Sequence, residues 1–451
     1  MAASGTRPGG QGPDTIFAVA SGFGRSAICV IRLSGPDSLA TLATLTGRPA
    51  PPARALTLRT LRGPDTGEPL DQAMVVWLPG PGTFTGEDQA ELHIHGGLAV
   101  RASVLRALAA RPQLRAAEPG EFTRRAFLNG KLDLTAVEGL ADLIDAETEA
   151  QRRQALRQLE GTLGHQVRRW RERLIGVSAL CEAGLDFSDE DDVPTDVDGP
   201  VPTEIRHLRD EIATALSSGE RGERVRDGLT VVIAGAPNAG KSTLLNAIAG
   251  RDVAIVSPVA GTTRDMIEVR CDLGGLPVVF VDTAGLRDSD EAIEREGVSR
   301  ALQRMQDAEL VLWLQPLGEA PTQPHLPPSG GWRRVWTKSD LGQRGALQEG
   351  SSVVSAASGD GVPELLEAIR AEAELRMTGD GDALLTRERH RVLLADAQEC
   401  LARALVAEHT GHPELVAEDV RLALRALGRV SGHVSPDDVL DRIFSSFCIG
   451  K

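Results

Sequence analysis

The apolar positions change their period along the chain, and the changes mark out its parts. Over residues 14–127, short runs such as "TIFAVA", "ICVIRLS", "AMVVWL" and "AELHIH" alternate and are separated by Gly/Pro turns, which predicts strands in an α+β unit. Over residues 128–222 apolar residues recur at i, i+3 and i+4, in "LTAVEGLADLIDA" and around "WRERLIGVSALCEAGLDF", which predicts amphipathic helices. "LTVVIAGAPNAGKSTLLNAIAG" then opens a βαβ pattern covering residues 223–374. Helical spacing returns over 375–451 in "RERHRVLLADAQECLARALVAE" and "PELVAEDVRLALRALGRV". Either helical half alone would leave a long apolar stripe uncovered. The pattern therefore predicts a multidomain α/β chain: an α+β unit, one discontinuous all-α domain, and a P-loop-type unit inserted into it. A length of 451 residues suits about three such domains.

Composition narrows the classes. The chain is 41% hydrophobic and 25% charged, and no apolar run is long enough to span a bilayer, so no membrane partner is expected. The opening "MAASGTRPGGQGP" lacks an apolar core and reads as a floppy leader, not a signal peptide. Cys29, Cys181, Cys271, Cys400 and Cys448 follow no metal or disulfide spacing, which suits reduced thiols and a cytoplasmic location. The net charge of −15 argues against gripping nucleic acid through a general basic surface and leaves room for a local patch.

The strongest chemical signal is "VVIAGAPNAGKST", a strand leading into G-x-x-x-x-G-K-S and then a helical pattern. Gly235 and Gly240 allow a tight loop whose N–H groups face phosphate oxygens. Lys241 would meet the β- and γ-phosphates, and Ser242 would offer its hydroxyl to Mg²⁺. "GTTRD" supplies Thr263 to complete the Mg²⁺ shell, and "FVDTAG" places Asp282 at a strand end with Gly285 beyond it. "WTKSD" brings Asp340 to the two donors of guanine, and "SAAS" closes over the base. The order is that of a Ras-like GTP-binding domain. Its expected contacts are Asn238, Ala239, Gly240, Lys241, Ser242, Thr243, Ser257, Thr262, Thr263, Asp282, Thr283, Ala284, Gly285, Thr337, Lys338, Asp340, Ser355 and Ala356. Two positions depart from the usual pattern. Thr337 stands where N-K-x-D has Asn, and Leu286 follows DTAG, where Ras-type proteins carry a water-orienting Gln. Leu286 cannot hydrogen-bond a water, so either hydrolysis is slow or another group does the job; "LRDSDEAIEREG" is rich in carboxylates (Asp288, Asp290, Glu291, Glu294, Glu296), most of which read as a solvated acidic helix start.

"GAPNAGKST", "AGTTRD", "DTAGLRDSDEAIEREG", "AEPGEFTRRAFLNGKLDLTAVEGLADLIDAET", "EAGLDFSDED" and the terminal "FCIGK" together resemble the MnmE (TrmE) family of tRNA-modification GTPases over nearly the whole chain. The resemblance implies that residues 14–127 form a tetrahydrofolate-binding-like domain that mediates homodimerisation, with Arg32, Glu91 and Lys131 at the folate positions. It implies K⁺ held by Asn238 and by the loop with Ser257, Val259 and Thr262, so that paired G domains activate hydrolysis. It places the water-orienting carboxylate at Glu294, and brings Lys451 to the folate and Cys448 beside the one-carbon unit as a candidate catalytic thiol. The implied partners are tRNA and a FAD-dependent MnmG-type protein in a heterotetramer or larger complex. The implied chemistry adds a carboxymethylaminomethyl or aminomethyl group at the 5-position of the wobble uridine, using 5-formyl- or 5,10-methylene-tetrahydrofolate. The alternative is a ribosome-associated GTPase switch without modification activity, which shares the G motifs but needs neither the folate-like block nor the terminal cysteine.

Two further groupings have bland readings. His93 and His95 share a strand face, but no third metal ligand is in reach by sequence. Arg168, Arg169, Arg171 and Arg173 in "HQVRRWRERL" read as a solvated helix face.

Overall fold

The computed structural model describes residues 14–22, 24–186, 199–255, 268–282, 308–321, 331–341, 352–379, 383–433, 437–445, 447 and 450. The chain divides into two compact units, residues 1–138 with 431–451, and residues 139–430.

The first unit is built on a six-stranded sheet of β1 (Thr15–Val19), β2 (Ser26–Ser34), β3 (Thr57–Arg62), β4 (Pro69–Leu78), β5 (Gln89–Gly96) and β6 (Leu114–Ala116), in the order β3-β4-β5-β2-β1-β6. Its pairs are antiparallel except β1 with β6. The period-two pattern decides its two faces. Cys29, Ile31 and Leu33 of β2 and Ala90, Leu92 and Ile94 of β5 point to one face. There they bury against α1 (Ser38–Thr46) and α2 (Leu98–Ala109) through Leu42, Leu45, Val104 and Leu108. The alternate positions point to the other face, where Ile16, Ala18 and Phe122 of α3 (Glu121–Leu128) form a smaller core. A helix over Asp437–Ser445 belongs to this unit and rests on α3. The Phe127 and Phe444 rings lie 6.0 Å apart, and Arg124 pairs with Asp441 at 3.2 Å.

The second unit holds two cores. Helices on both sides of the inserted α/β segment share one of them: α6 (Thr162–Asp186) and α7 (Pro200–Ser217) from the first half, α11 (Glu388–His409) and α12 (Pro413–Ser431) from the second. α4 (Leu134–Asp145), α5 (Glu149–Leu159) and α8 (Gly219–Asp227) complete the described helices before the insertion. Trp170 is buried there, and its indole N–H donates to Glu211 at 2.9 Å. The inserted segment carries β7 (Leu229–Gly235), α9 (Lys241–Ala249), β8 (Glu268–Leu273), β9 (Leu276–Asp282), β10 (Leu310–Pro316), β11 (Gly331–Thr337), β12 (Ser352–Val353) and α10 (Val362–Met377). The sheet order is β12-β11-β10-β7-β9-β8, parallel except for the β8–β9 pair. Val231, Ile233, Phe280, Leu312 and Val335 bury on one face beneath α9 and α10.

Candidate functional site

The buried β7 delivers the chain to the turn at Gly235. Here φ is +149°, and a Cβ would collide with the carbonyl oxygen of Leu314 on the neighbouring β10, so this position needs glycine. Asn238 continues the loop with φ +64°, and Gly240, at φ +96°, caps the N-terminus of α9. That helix end supplies the free N–H groups that bind phosphate in such loops. Lys241 Nζ donates to the carbonyls of Gly235 at 3.0 Å and Ala236 at 2.9 Å, folded across its own loop. Ser242 Oγ donates to Asp282 Oδ2 at 2.7 Å. Register explains that meeting, because Asp282 ends β9 directly opposite Ile233 of β7. A hydroxyl and a carboxylate so placed suit a hard divalent cation, so the donor set fits Mg²⁺.

The base end of the site is organised by two side-chain bonds. Thr337 Oγ1 donates to the Ala239 carbonyl at 2.6 Å, tying the end of β11 to the phosphate loop. Both residues are buried. Ser355 Oγ donates to Asp340 Oδ1 at 2.7 Å, while the Ser355 backbone N–H is held by Asp360 at 2.9 Å. Lys338 has φ +57°, and Ala356 packs against the main core of the segment. Thr243 is exposed on the first turn of α9. The structure thus brings the P-loop, Asp282, Thr337, Asp340 and Ser355 together. Ser257, Val259, Thr262, Thr263, Thr283, Ala284, Gly285 and Glu294 lie outside the described residues.

In the first unit, Arg32 and Glu91 are directly opposed on β2 and β5, on the face turned away from α1 and α2. Arg32 Nε and Nη2 each lie 3.1 Å from Glu91 Oε1, and His93 Nε2 lies 3.2 Å from Glu91 Oε2. The Arg32 guanidinium also sits 5.9 Å from the centre of the Phe84 ring. Lys131 follows α3; its stem passes over Gly86, and among the described residues it makes no hydrogen bond or ion pair with Arg32 or Glu91. The chain end returns to the same sheet. Gly450, at φ +103°, runs so close to Val19 and Ala20 that a Cβ would collide with the Val19 carbonyl. Val19 adjoins Ala18, the β1 partner of Arg32. Cys448 and Lys451 lie outside the described residues.

Beneath this face runs an ion network that sequence reasoning did not pick out. Arg125 bonds Glu87 Oε2 at 3.1 Å and Glu121 Oε1 at 3.2 Å, and Ser34 Oγ donates to Glu87 Oε2 at 2.7 Å. Arg115 clasps both oxygens of Glu121. Burial alone would raise the Glu121 carboxyl, but Arg115, the Glu118 N–H and Arg125 outweigh it and hold it below the ordinary carboxylate range. The available signal was the i, i+4 pair Glu121–Arg125 inside "EFTRRAFL". His95 bonds Asp71 at 2.8 Å, so the two histidines take different carboxylates. Among the described residues no group of three or more His, Cys, Asp or Glu side chains could hold a metal ion. Arg173 pairs with Glu204 and Glu211, in keeping with a solvated charged face on α6. Burial pushes the Cys181 and Cys271 thiols up to about 11, so neither is a ready thiolate. No described helix is long and apolar enough to cross a membrane.

A strand–loop–helix cradle with Lys241, Ser242 and Asp282, joined to a Thr337/Asp340/Ser355 base end on this strand order, defines a P-loop GTPase. The family model of the MnmE helical domain matches residues 134–448, and that of the GTP-binding protein TrmE N-terminus matches residues 15–131. A tRNA modification GTPase MnmE from Methylobacterium sp. is 58% identical over 447 residues, covering 97% of this chain and 100% of its own length. Its counterparts from Methylorubrum populi and Parvibaculum lavamentivorans are 59% identical over 446 residues and 51% identical over 446 residues. These cover 97% of this chain in both cases, with 98% and 100% of their own lengths. The chain belongs to the MnmE family.

Proposed function

We propose that this GTPase is the GTP-hydrolysing subunit of a tRNA-modifying complex. With a FAD-dependent MnmG-type partner it installs a carboxymethylaminomethyl or aminomethyl group at the 5-position of the wobble uridine, working as a homodimer in the cytoplasm. The observation that supports this reading is the joint presence of a P-loop cradle, centred on the Ser242–Asp282 bond, and of the Arg32–Glu91 pair on a separate sheet.

The roles follow from the chemistry of each group. Lys241 leaves the loop carbonyls for the β- and γ-phosphates when nucleotide binds. Ser242 and Thr263 would hold Mg²⁺, with the Asp282 carboxylate beside Ser242 adding negative charge for it. Bound Mg²⁺ supplies neutralisation of charge between the phosphates. Asn238, with Ser257, Val259 and Thr262, would hold K⁺, which would supply positive charge at the phosphates, and Glu294 would orient the attacking water that Leu286 cannot. Thr243, Thr283, Ala284, Gly285, Lys338 and Ala356 line the nucleotide, and Asp340, aimed by Ser355, selects guanine. On the other sheet Glu91, with Arg32 beside it, meets the pterin ring, Lys131 and Lys451 supply cations for the folate's glutamate tail, and Cys448 serves near the one-carbon unit. The Arg32–Glu91 pair fits the ring end of such a ligand, because a carboxylate that accepts and a guanidinium that donates lie side by side on one face.

The experiment is mass spectrometry of tRNA nucleosides from a strain lacking this protein. Loss of the modified wobble uridine is expected; an unchanged nucleoside profile overturns the reading.

A further inference from the structure

The far end of the phosphate-binding helix makes a contact that none of the nucleotide-binding motifs contains. α9 starts at the P-loop and buries Leu244, Leu245 and Ile248 in the main core of its segment, so its nine residues form a fixed rod about 14 Å long. The chain just beyond it is fastened too. The Arg251 N–H donates to the Ile248 carbonyl at 3.1 Å, the Ala254 N–H donates to the Arg251 carbonyl at 3.0 Å, and Ala254 bridges to Cys271 of β8. From this anchored backbone Arg251 Nη2 donates to the Gly359 carbonyl at 3.2 Å, 108 residues further along the chain. The bond is partly buried, and among the described residues the guanidinium makes no ion pair.

Gly359 belongs to the turn at the base end of the site. Within it the Gly359 N–H donates to the Ser355 carbonyl at 2.8 Å, the Ser355 N–H to the Asp360 carbonyl at 2.9 Å, and the Ser358 N–H to Ser355 Oγ at 3.2 Å. Ser355 Oγ in turn donates to Asp340 Oδ1 at 2.7 Å. Backbone pins both flanks: the Val354 N–H donates to the Trp336 carbonyl at 2.8 Å, and at Gly361, with φ +75°, a Cβ would collide with the Val353 carbonyl. Between these pins, Asp340 and Arg251 are the two side chains from outside the turn that bond to it among the described residues.

We propose that Arg251 is a positioning residue for guanine: it fixes the turn over residues 355–360 and, through Ser355, the direction of the Asp340 carboxylate. The inference rests on the reading that Asp340 selects guanine by accepting from the two N–H donors of the base. A hydrogen bond from a charged donor is stronger than a neutral one, and partial burial shields it from competing water. Aim matters at Asp340, because two parallel bonds to the edge of a base weaken steeply once the carboxylate turns away from them. The same rod carries Lys241 and Ser242 at one end and leads to Arg251 at the other, so the phosphate and base ends of the site share one support.

The test compares GTP with inosine triphosphate, which keeps the phosphates and the ring but lacks the 2-amino donor. Kd values are measured on the full chain with Mg²⁺, by competition against a fluorescent guanine nucleotide, for wild type, Arg251→Met and Arg251→Lys. Methionine keeps an unbranched apolar stem and removes the donor, whereas lysine keeps a cationic donor. Wild type should prefer GTP by about tenfold or more, because the inosine nucleotide leaves Asp340 one partner short. Arg251→Met should raise the Kd about tenfold for GTP and about threefold for inosine triphosphate, narrowing the preference about threefold, while Arg251→Lys keeps most of it. A role confined to stability would weaken both nucleotides alike. Equal losses, or an unchanged preference in Arg251→Met, overturn the role of Arg251 and leave guanine selection by Asp340 intact. A wild type that binds the two nucleotides equally overturns both.

Discussion

Replacing Thr337 by valine tests how the GTPase site is held together. The substitution keeps β-branching and nearly the same shape but deletes the hydroxyl that donates to the Ala239 carbonyl at 2.6 Å. That carbonyl belongs to a residue with no exposed surface, so water cannot replace the lost donor. Leaving a buried acceptor unsatisfied costs about 1–3 kcal/mol. The bond joins the guanine loop to the phosphate loop, so part of the cost appears in nucleotide affinity, where about 1.4 kcal/mol is a tenfold change. Thr337→Val is therefore expected to raise the Kd for a fluorescent GTP analogue about tenfold and to speed hydrogen exchange at the amides of residues 236–240. Thr337→Ser keeps the hydroxyl and should stay close to wild type. Thr337→Asn can keep the tie with its amide and reach further toward the base, so guanine affinity should rise. Wild-type affinity together with unchanged exchange in Thr337→Val would refute the reasoning.

Gly235→Ala forces a Cβ onto the Leu314 carbonyl at a φ that L residues rarely adopt; a cost of about 2–3 kcal/mol and loss of GTP binding are expected, read by thermal unfolding and titration. Because the Glu121 carboxyl is held below its usual 4.5, its stabilisation is fully present above that value and is lost as the pH falls through and below it. Acid unfolding followed by circular dichroism should therefore show a shallower pH dependence for Glu121→Gln, with lower stability at neutral pH. GTP turnover should be faster in K⁺ than in Na⁺ and lose that preference in Asn238→Ala; equal wild-type rates would remove the cation role from Asn238.

The parts of this molecule legible in its sequence are those whose physics is local. A period of two over "ICVIRLS" and "AELHIH" names β2 and β5, and since directly opposed residues share a face it also sets Arg32 beside Glu91 once the register is known. The P-loop could be read because its glycines, Lys241 and Ser242 act within one turn of chain. Long-range choices were not visible in this way. Nothing local distinguishes the buried Glu121 and Arg125 from solvated charges; their burial follows from Glu87 and Ser34, many residues earlier. Thr337 is visible in the sequence only as a departure from N-K-x-D, and the structure shows its hydroxyl donating to Ala239.

The central claim, that a nucleotide cycle at Lys241 serves tRNA modification, is tested most directly by complementing a strain lacking this protein. Wobble-uridine modification is then measured by nucleoside mass spectrometry with wild type and with Lys241→Ala. Wild type should restore the modification. Lys241→Ala, deprived of the ammonium that meets the phosphates, should leave it absent although the chain accumulates normally. Full modification supported by Lys241→Ala would contradict the account.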